Sequence, residues 1–313
     1  MSVRVAIVAV ATGCGFHPTT APTDARDAAP ADMEIDTPLV PCHDRWLDGS
    51  IRFHTPKRLD TLSSATAADH DPYVTPDGLT IYFSSDRADQ VTFDADVYIA
   101  TRADVAAEFG TPMLFPAATT TADDGKVSLT DDGLHLVTTN NTLVDYDLYE
   151  SSRATASDTF GALSTSHFGS TIDNGSDQQD PWISNDGTRI YYALHTNVQH
   201  IAITTRTAID QNFQAPMMVA GVDSDLGDAD PALSADERIL VFTSKRPLPS
   251  FAGTNIWFAT RADPSGAFDP PHDVPDLNTG SNDGDPVLSA DGCTVYFASD
   301  VAGSYDLYAA TMM

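Results

Sequence analysis

The sequence predicts an all-β fold, a five-bladed β-propeller of four-stranded blades that is closed by the N-terminal strand joining the last blade. Three observations predict it: a motif that recurs five times at nearly constant spacing, strand-forming segments in a fixed order within each repeat, and chain ends that complement one another. A linear β-solenoid is the alternative, but it would leave an unpaired strand at each end.

Each repeat is centred on a hairpin turn with the pattern apolar, Ser or Thr, any residue, Asp, Gly. The strongest copies begin with Asp-Pro at Asp71, Asp180 and Asp285, and weaker copies begin at Lys126 and Asp230. Five copies at such even spacing indicate a repeat architecture. The turn aspartates lie 55, 54, 50 and 55 residues apart, at Asp77, Asp132, Asp186, Asp236 and Asp291.

The fourth copy departs from this pattern, because Glu237 stands where the other turns have glycine. Glycine adopts a positive φ without steric cost, whereas glutamate does not. We therefore expect the fourth turn to be strained or of another type.

The strands of each repeat also follow a fixed order. A second strand rich in β-branched and aromatic residues follows the turn, and a third follows a polar loop and ends at an arginine in four copies. Because the chain opens with a lone fourth strand and ends on a third strand at 307–311, the two ends together complete one blade. The fourth strands are predicted to begin near Phe53, Phe109, Phe160, Phe213 and Phe268.

The motif Asp-Pro-x-apolar-Ser-x-Asp-Gly, followed by apolar-Tyr-Phe-x-Ser-Asp-Arg as in residues 81–87, resembles the TolB-type, WD40-like propeller repeat over residues 53–311. The resemblance implies a fold and little about function, since such repeats occur in periplasmic scaffolds, peptidase propellers and surface lipoproteins. TolB itself resembles a six-bladed propeller behind an α/β domain, so this chain departs from it in blade number and at its N-terminal side.

The first fourteen residues resemble a bacterial lipoprotein signal, with one basic residue, an apolar run at 5–11 and small residues before Cys14. The resemblance implies acylation of Cys14, and Gly15 after it implies an outer-membrane or cell-surface lipoprotein, with a periplasmic location as the alternative. The following Pro, Ala, Thr and Asp-rich stretch cannot bury enough surface to fold. The predicted organisation is a signal segment at 1–14, a disordered tether at 15–50 and a propeller at 51–313.

The charge balance excludes some partners. Asp and Glu outnumber Lys and Arg by 45 to 16, giving a formal net charge of −29. Such a surface repels phosphate backbones and anionic lipids, so we expect no nucleic-acid partner and membrane contact only through the lipid anchor. We further expect a monomer.

Two cysteines remain after Cys14, and an exported protein can form disulfides. Cys293 begins the second strand of the last blade, and Cys42 lies eleven residues before Phe53 of the strand that completes that blade. Eleven extended residues reach roughly 35 Å. The sequence therefore predicts a Cys42–Cys293 disulfide that holds the ring closed, with two unrelated thiols as the alternative.

The candidate binding residues are the first residues of the five innermost segments, near one mouth of the central channel. Their carboxylates suit a Ca²⁺ ion, a cationic ligand or a sugar. Alternatively, each aspartate caps its own turn and the lysine relieves the repulsion among them. These residues are Asp71, Lys126, Asp180, Asp230 and Asp285.

No motif of a catalytic nucleophile or of a catalytic metal site occurs, since the chain contains neither Gly-x-Ser-x-Gly nor His-Glu-x-x-His. The sequence therefore predicts a non-catalytic, envelope-anchored binding or scaffold propeller for a protein or glycan ligand. The alternative is a carbohydrate-binding or glycoside-hydrolysing propeller that uses two channel carboxylates, for which Asp71 and Asp230 are the candidates. No cofactor is expected apart from the Ca²⁺ option.

Overall fold

The computed structural model describes residues 41–313 except 89–93, 142–144, 174 and 250–252. The predicted signal segment, Cys14 and residues 15–40 of the predicted tether lie outside the described residues. Within the described ranges, no helix combines the length and the apolar character needed to cross a membrane.

The structure is an all-β propeller of five blades, preceded by one short helix. The chain begins with α1 (Cys42–Asp48) and β1 (Lys57–Arg58). Blade one consists of β2 (Asp69–Val74), β3 (Thr80–Ser85), β4 (Asp96–Thr101) and β5 (Met113–Leu114). Blade two consists of β6 (Asp123–Leu129), β7 (His135–Asn141) and β8 (Tyr146–Ser152), and α2 (Gly169–Ile172) follows it.

The remaining blades repeat the same antiparallel order from the channel outward. Blade three consists of β9 (Asp177–Ile183), β10 (Arg189–His195), β11 (Gln199–Thr205) and β12 (Met217–Met218). Blade four consists of β13 (Asp228–Leu233), β14 (Ile239–Ser244), β15 (Asn255–Thr260) and β16 (His272–Asp273). Blade five consists of β17 (Asp283–Leu288), β18 (Thr294–Ser299), β19 (Asp306–Thr311) and the N-terminal β1.

The predicted closure of the ring is confirmed. β1 pairs antiparallel with β19, with Lys57 opposite Ala309 and Arg58 opposite Tyr308. Phe53 forms a further bridge with Met312. No outer strand at either end is left unpaired, which favours a closed ring over the linear solenoid.

The fourth strands are shorter than predicted. In four blades they begin four residues after the repeated phenylalanine and span two residues, as β1 does after Phe53. In blade two the fourth position is a single bridge between Glu150 and Ser164, so this blade has three full strands. The phenylalanine precedes the strand because its ring packs under the arginine that ends the third strand, 4.4 Å from the Arg102 guanidinium in the case of Phe109.

The hairpin turn forms as the sequence predicts. In blade one the Asp77 carboxylate accepts hydrogen bonds from the Thr75 hydroxyl at 2.6 Å and the Leu79 amide at 2.9 Å, while Gly78 has a φ of 70°. Glu237 has a φ of 56°, and its amide donates to the Ser234 carbonyl at 2.8 Å, as Gly78 does to Thr75. The fourth turn is therefore strained rather than of another type.

The prediction of a disordered tether at 15–50 is wrong for its last residues. Residues 42–48 form α1, which packs on blades four and five. Cys42 and Cys293 form the predicted disulfide, with a Cα–Cα distance of 5.1 Å. Trp46 is fully buried, with its ring centroid 5.6 Å from that of Phe53 and 5.1 Å from that of Phe258. A buried indole and a covalent link order this segment despite its polar composition.

In blade five, Trp46 replaces the arginine that follows the third strand in the other four blades. In four blades the arginine after the third strand donates from Nε to the carbonyl of the turn, and its guanidinium covers the phenylalanine of its own blade. In blade five Met312 follows the third strand, and Trp46 Nε1 instead donates to the Gly292 carbonyl at 2.9 Å. The indole thus makes both contacts of the arginine, and with Phe258 it also reaches the preceding blade. The four arginines are Arg102, Arg153, Arg206 and Arg261.

Candidate functional site

The structure brings the repeated aspartates together at the polar mouth of the channel. Four of them have positive φ angles between 53° and 57°, and each lies at a register shift between the first and second strands of its blade. This bulge turns the carboxyl group towards the neighbouring blade. These four residues are Asp71, Asp180, Asp230 and Asp285.

Their hydrogen bonds run both between blades and within one blade, where Asp71 Oδ2 accepts from the Ser84 hydroxyl at 2.6 Å. Asp285 Oδ2 accepts from the Asp71 amide at 3.3 Å, and Asp230 Oδ2 accepts from the Asp285 amide at 3.4 Å. The carboxyl groups of Asp180 and Asp230 share a hydrogen bond. These aspartates therefore link neighbouring blades in addition to bonding within their own.

Lys126 completes this ring from blade two. Its side chain is only 1% exposed, and Nζ donates to the Pro231 carbonyl at 3.4 Å. Within the described ranges no carboxylate oxygen lies within 4.0 Å of the ammonium, although its charge acts on Asp180 and Asp230. Lys126 thus offsets the ring's negative charge from a distance, in agreement with the predicted relief of repulsion.

Burial and mutual repulsion separate the pKa values of these carboxyl groups. Burial, with the charges of Asp230 and Asp71, raises the pKa of Asp285 to about 7, and burial raises the pKa of Asp180 well above its ordinary value. Burial also acts on Asp230, but hydrogen bonds and the charge of Lys126 outweigh it and lower its pKa. The ring therefore carries less than its full formal charge near neutral pH.

His70 faces the ring from blade one. Its Nδ1 lies 3.6 Å from Asp285 Oδ2, and its ring centroid is 4.6 Å from that of Tyr305. Burial opposes protonation of His70, but the hydrogen bond and charge of Asp285 raise its pKa to about 9. The imidazolium is thus a second positive charge at the mouth.

A polar cavity of about 340 Å³ opens at this mouth over blades one to three. Asp230 and Lys126 do not line it, so the structure divides the predicted set into residues that face the cavity and residues that support them. The residue directly before the repeated position is glycine in blades two and five and a different residue in each of the other three blades. The repetition around the ring is therefore broken at this cavity. The main polar lining residues are His70, Asp71, Asp123, Tyr146, Gln179, Asp180 and Asp285.

Several of these lining residues were not among those predicted from the sequence. His70 and Gln179 precede the repeated position by one residue, where blade four has Ala229 and blades two and five have Gly125 and Gly284. A repeat search selects what is shared, so it passes over such positions. Their departure from the repeat is the signal that could have identified them.

The opposite end of the channel is apolar and much narrower. One residue from the end of each innermost strand converges there, and the remaining space is about 60 Å³. Tyr73 and Trp182 pack beside them. The five converging residues, each at most 8% exposed, are Val74, Leu129, Ile183, Leu233 and Leu288.

The described residues contain no group of three or more His, Cys, Asp or Glu side chains arranged to hold a metal ion. At the mouth, the hydrogen bonds between blades already occupy carboxylate oxygens that a Ca²⁺ ion would need as ligands. These two oxygens are therefore already engaged within the protein.

Other charged pairs of the repeat serve the blades. The Arg87 guanidinium lies over the rings of Phe83 and Tyr98 and contacts Asp69 Oδ1 at 2.5 Å. Arg246 contacts Asp228 in the same way in blade four. These arginines are thus part of the blade interior rather than of a binding rim.

Comparison with known proteins gives similarity of fold. No protein family and no curated protein matches this chain. Among solved structures, the chain is similar to the TolB of Acinetobacter baumannii, with 14% identity over 78% of this chain and a TM-score of 0.47. It spans about half of that protein, 54% of its length.

Higher TM-scores are found with two carbohydrate-active enzymes. The catalytic domain of a GH62 α-L-arabinofuranosidase from Coprinopsis cinerea is 10% identical, with a TM-score of 0.58 over 84% of this chain and 97% of that chain. An endo-arabinase from Bacteroides thetaiotaomicron is 14% identical, with a TM-score of 0.52 over the same shares. The likeness is one of fold. At these identities it carries no activity over to this chain.

Proposed function

We propose that this protein is a non-catalytic binding propeller of the bacterial cell envelope that receives its ligand at the polar mouth of the channel. The observation that carries the proposal is the cavity over blades one to three, where the non-repeated polar side chains of His70 and Gln179 join the repeated aspartates. A position that serves only the blade is repeated in every blade, whereas a ligand site departs from the repeat.

The ligand that fits this cavity is a small polar group from a glycan or a protein. Its lining offers carboxylates as acceptors, the imidazolium of His70 as a donor, and the amide of Gln179 as both. A sugar with several hydroxyls, or a cationic side chain, satisfies these groups. We infer no role in nucleic-acid binding, because the net charge of −29 opposes it.

The cavity is tested by filling it. Gln179→Trp is expected to lower the binding of envelope glycans or cationic peptides on an array at least tenfold. Asp225→Trp is the matched control, since it adds the same bulk in the exposed loop before β13, outside the cavity. The proposal fails if Gln179→Trp binds the same array members as the wild-type protein with unchanged intensity.

The envelope location rests on the sequence around Cys14 and is tested separately. Expression in a bacterial host with radioactive palmitate should label the wild-type protein and should not label Cys14→Ser. Absence of label in the wild-type protein would refute the anchor and leave the binding site to be judged by the array.

Glycoside hydrolysis is a second candidate, favoured by the opposite pKa shifts of Asp285, which lines the cavity, and Asp230, which lies behind it. A carboxylic acid that stays protonated near neutral pH beside an ionised carboxylate is the pair that such chemistry requires. The fold is also that of the arabinofuranosidase and the endo-arabinase. Release of nitrophenol from aryl arabinofuranosides by the wild-type protein, but not by Asp285→Asn, would replace the binding proposal with this one.

A further inference from the structure

An apolar groove of about 610 Å³ runs along the outer rim between blades one and two. One wall follows β5 and the other lies in the loop that leads to the fourth position of blade two. Thr119 and Thr120 border it, as do Arg153 and Asp158. The apolar lining residues are Phe115, Pro116, Ala117, Phe160, Ala162 and Leu163.

The repeat is broken at this groove. Each of the other four blades has proline three residues after its phenylalanine, whereas blade two has Leu163. Blade two is also the blade whose fourth strand is reduced to the Glu150–Ser164 bridge. Phe160 is partly exposed, while the other four phenylalanines are at most 5% exposed. A wider, more apolar opening has therefore replaced the regular blade edge.

The groove also lacks a contact that joins other blades. In blades three, four and five the amide of this phenylalanine donates to the segment after the fourth strand of the preceding blade. Among the described residues, neither the amide of Phe160 nor that of Phe109 in blade one has such an acceptor. The three bonds are Phe213 to the His167 carbonyl at 2.8 Å, Phe268 to the Ala220 carbonyl at 3.0 Å, and Phe53 to Asp276 Oδ2 at 3.0 Å.

We propose that this groove is a docking site for an extended peptide segment of a partner protein, with two or three apolar side chains flanked by lysine or arginine. The apolar side chains cover Phe115, Phe160 and Leu163, and the peptide backbone supplies the acceptor that the Phe160 amide lacks. The exposed Met113 and Leu114 of β5, 66% and 44% exposed, extend the apolar surface along the same rim.

Charge complementarity determines the flanking residues. The protein carries a formal charge of −29, so basic groups beside the apolar core of the peptide are attracted and acidic groups are repelled. Arg153 and Asp158 both line the groove, so the attraction for basic flanking residues comes from the charge of the whole protein. A second copy of this chain is disfavoured as the occupant, because it brings the same negative charge.

This proposal is independent of the channel ligand, since the groove and the polar cavity share no lining residue. The probe is a fluorescent peptide of five Leu and Phe residues with two lysines at each end, and its control carries glutamates at those positions. Fluorescence anisotropy with the full-length protein should show saturable binding of the lysine peptide and at least tenfold weaker binding of the glutamate peptide.

Three variants locate the site. Leu163→Asp should weaken binding of the lysine peptide at least tenfold, and Leu163→Pro, which restores the residue of the other blades, should weaken it as well. Met217→Asp is the matched control on β12 of blade three, where the side chain is 64% exposed, and should leave the Kd within twofold. Thermal unfolding verifies that all three variants are folded.

The proposal is overturned if the lysine peptide does not bind the wild-type protein, or if it binds no better than the glutamate peptide. It is equally overturned if Leu163→Asp binds as the wild-type protein does, or if Met217→Asp causes the same loss as Leu163→Asp.

Discussion

Glu237 combines a strained backbone with a buried pairing role. Its carboxylate accepts hydrogen bonds from Arg189 Nε at 2.8 Å and from the Tyr191 hydroxyl at 3.1 Å, and Arg261 Nη2 lies 3.6 Å away. A positive φ costs an L residue roughly 1–2 kcal/mol. The pairing of blades three and four through this side chain offsets that cost.

Replacement of Glu237 separates the two effects. Glu237→Gly relieves the backbone strain but removes the carboxylate that pairs with Arg189 and Arg261, so we expect a net loss of about 1–2 kcal/mol in the free energy of unfolding. Glu237→Ala keeps the strain and should lose about 1 kcal/mol more. Urea unfolding measures both, and a Glu237→Gly protein as stable as the wild type would show that the pairing contributes little.

Asp124 should make stability depend on pH. It is 1% exposed, and burial raises its pKa to about 7, above the ordinary 3.8. The folded state then binds this proton more tightly than the unfolded state, so the stabilisation that Asp124 contributes is fully present below pH 3.8 and is lost as the pH rises through 7.

The matching variant is Asp124→Asn. Between pH 5 and pH 7 the wild-type protein should lose roughly 2 kcal/mol more unfolding free energy than the variant does. Urea titrations at the two pH values measure this difference. Parallel pH profiles for the two proteins would contradict the raised pKa.

At the scale of residues, the sequence predicted positions that repeat and missed those that do not. The ring of Asp71, Lys126, Asp180, Asp230 and Asp285 follows from periodicity alone. His70 and Gln179 line the cavity at a position whose residue varies between blades. A search for repeated spacing cannot select such a position. The direction of the aspartate side chains depends on a bulge whose left-handed backbone the motif does not specify.

At the scale of elements, α1 shows how a segment outside the repeat can complete it. The repeat predicts an arginine after β19, and Met312 stands there instead. A seven-residue helix without an apolar period gives a weak sequence signal, so α1 was predicted as tether. In the structure, the Cys42–Cys293 disulfide and the buried Trp46 order this segment.

Substitutions of Trp46 and Met312 test whether Trp46 replaces the arginine of the other blades. Trp46→Ala should lose about 3–5 kcal/mol, because a fully buried indole and its hydrogen bond to Gly292 are removed. Adding Met312→Arg should recover about 1–2 kcal/mol of that loss, since a guanidinium can bond the same carbonyl and cover Phe53.

The control for this rescue is Met312→Arg alone, which should be neutral or destabilising while Trp46 occupies the place. Chemical unfolding of all four proteins completes a double-mutant cycle. Equal effects of Met312→Arg in both backgrounds would show that the two side chains do not share one role.

At the scale of the molecule, the disulfide closes a loop of 251 residues between Cys42 and Cys293. The loop-entropy relation gives about 5 kcal/mol as the stabilisation from such a link, an upper value because denatured chains keep some structure. Its position beside the Trp46–Gly292 hydrogen bond means that it secures both α1 and the blade that joins the chain ends.

Removal of the link should therefore lower stability without opening every blade. The double variant Cys42→Ser, Cys293→Ser should unfold at lower urea concentration than the wild-type protein, and a reductant should shift the wild type towards the variant while leaving the variant unchanged. Detection of two free thiols in the unreduced wild-type protein would contradict this expectation.

The blade number and the joining of the chain ends were predictable because they depend on strand order, which repeats enforce. The reduction of blade two to three full strands was not predictable. Leu163, which stands where the other blades have proline, is the sequence difference at that position. A repeat tolerates such a change only when neighbouring contacts compensate, and sequence periodicity contains no record of those contacts.

The narrow apolar end of the channel limits how the polar cavity can be used. With Leu233 and Leu288 among the five side chains that converge there, the space at this end is about 60 Å³, against about 340 Å³ at the polar mouth. Aliphatic side chains offer a polar ligand no hydrogen bonds. Under the proposed binding function, a polar ligand would therefore enter and leave through the polar mouth alone.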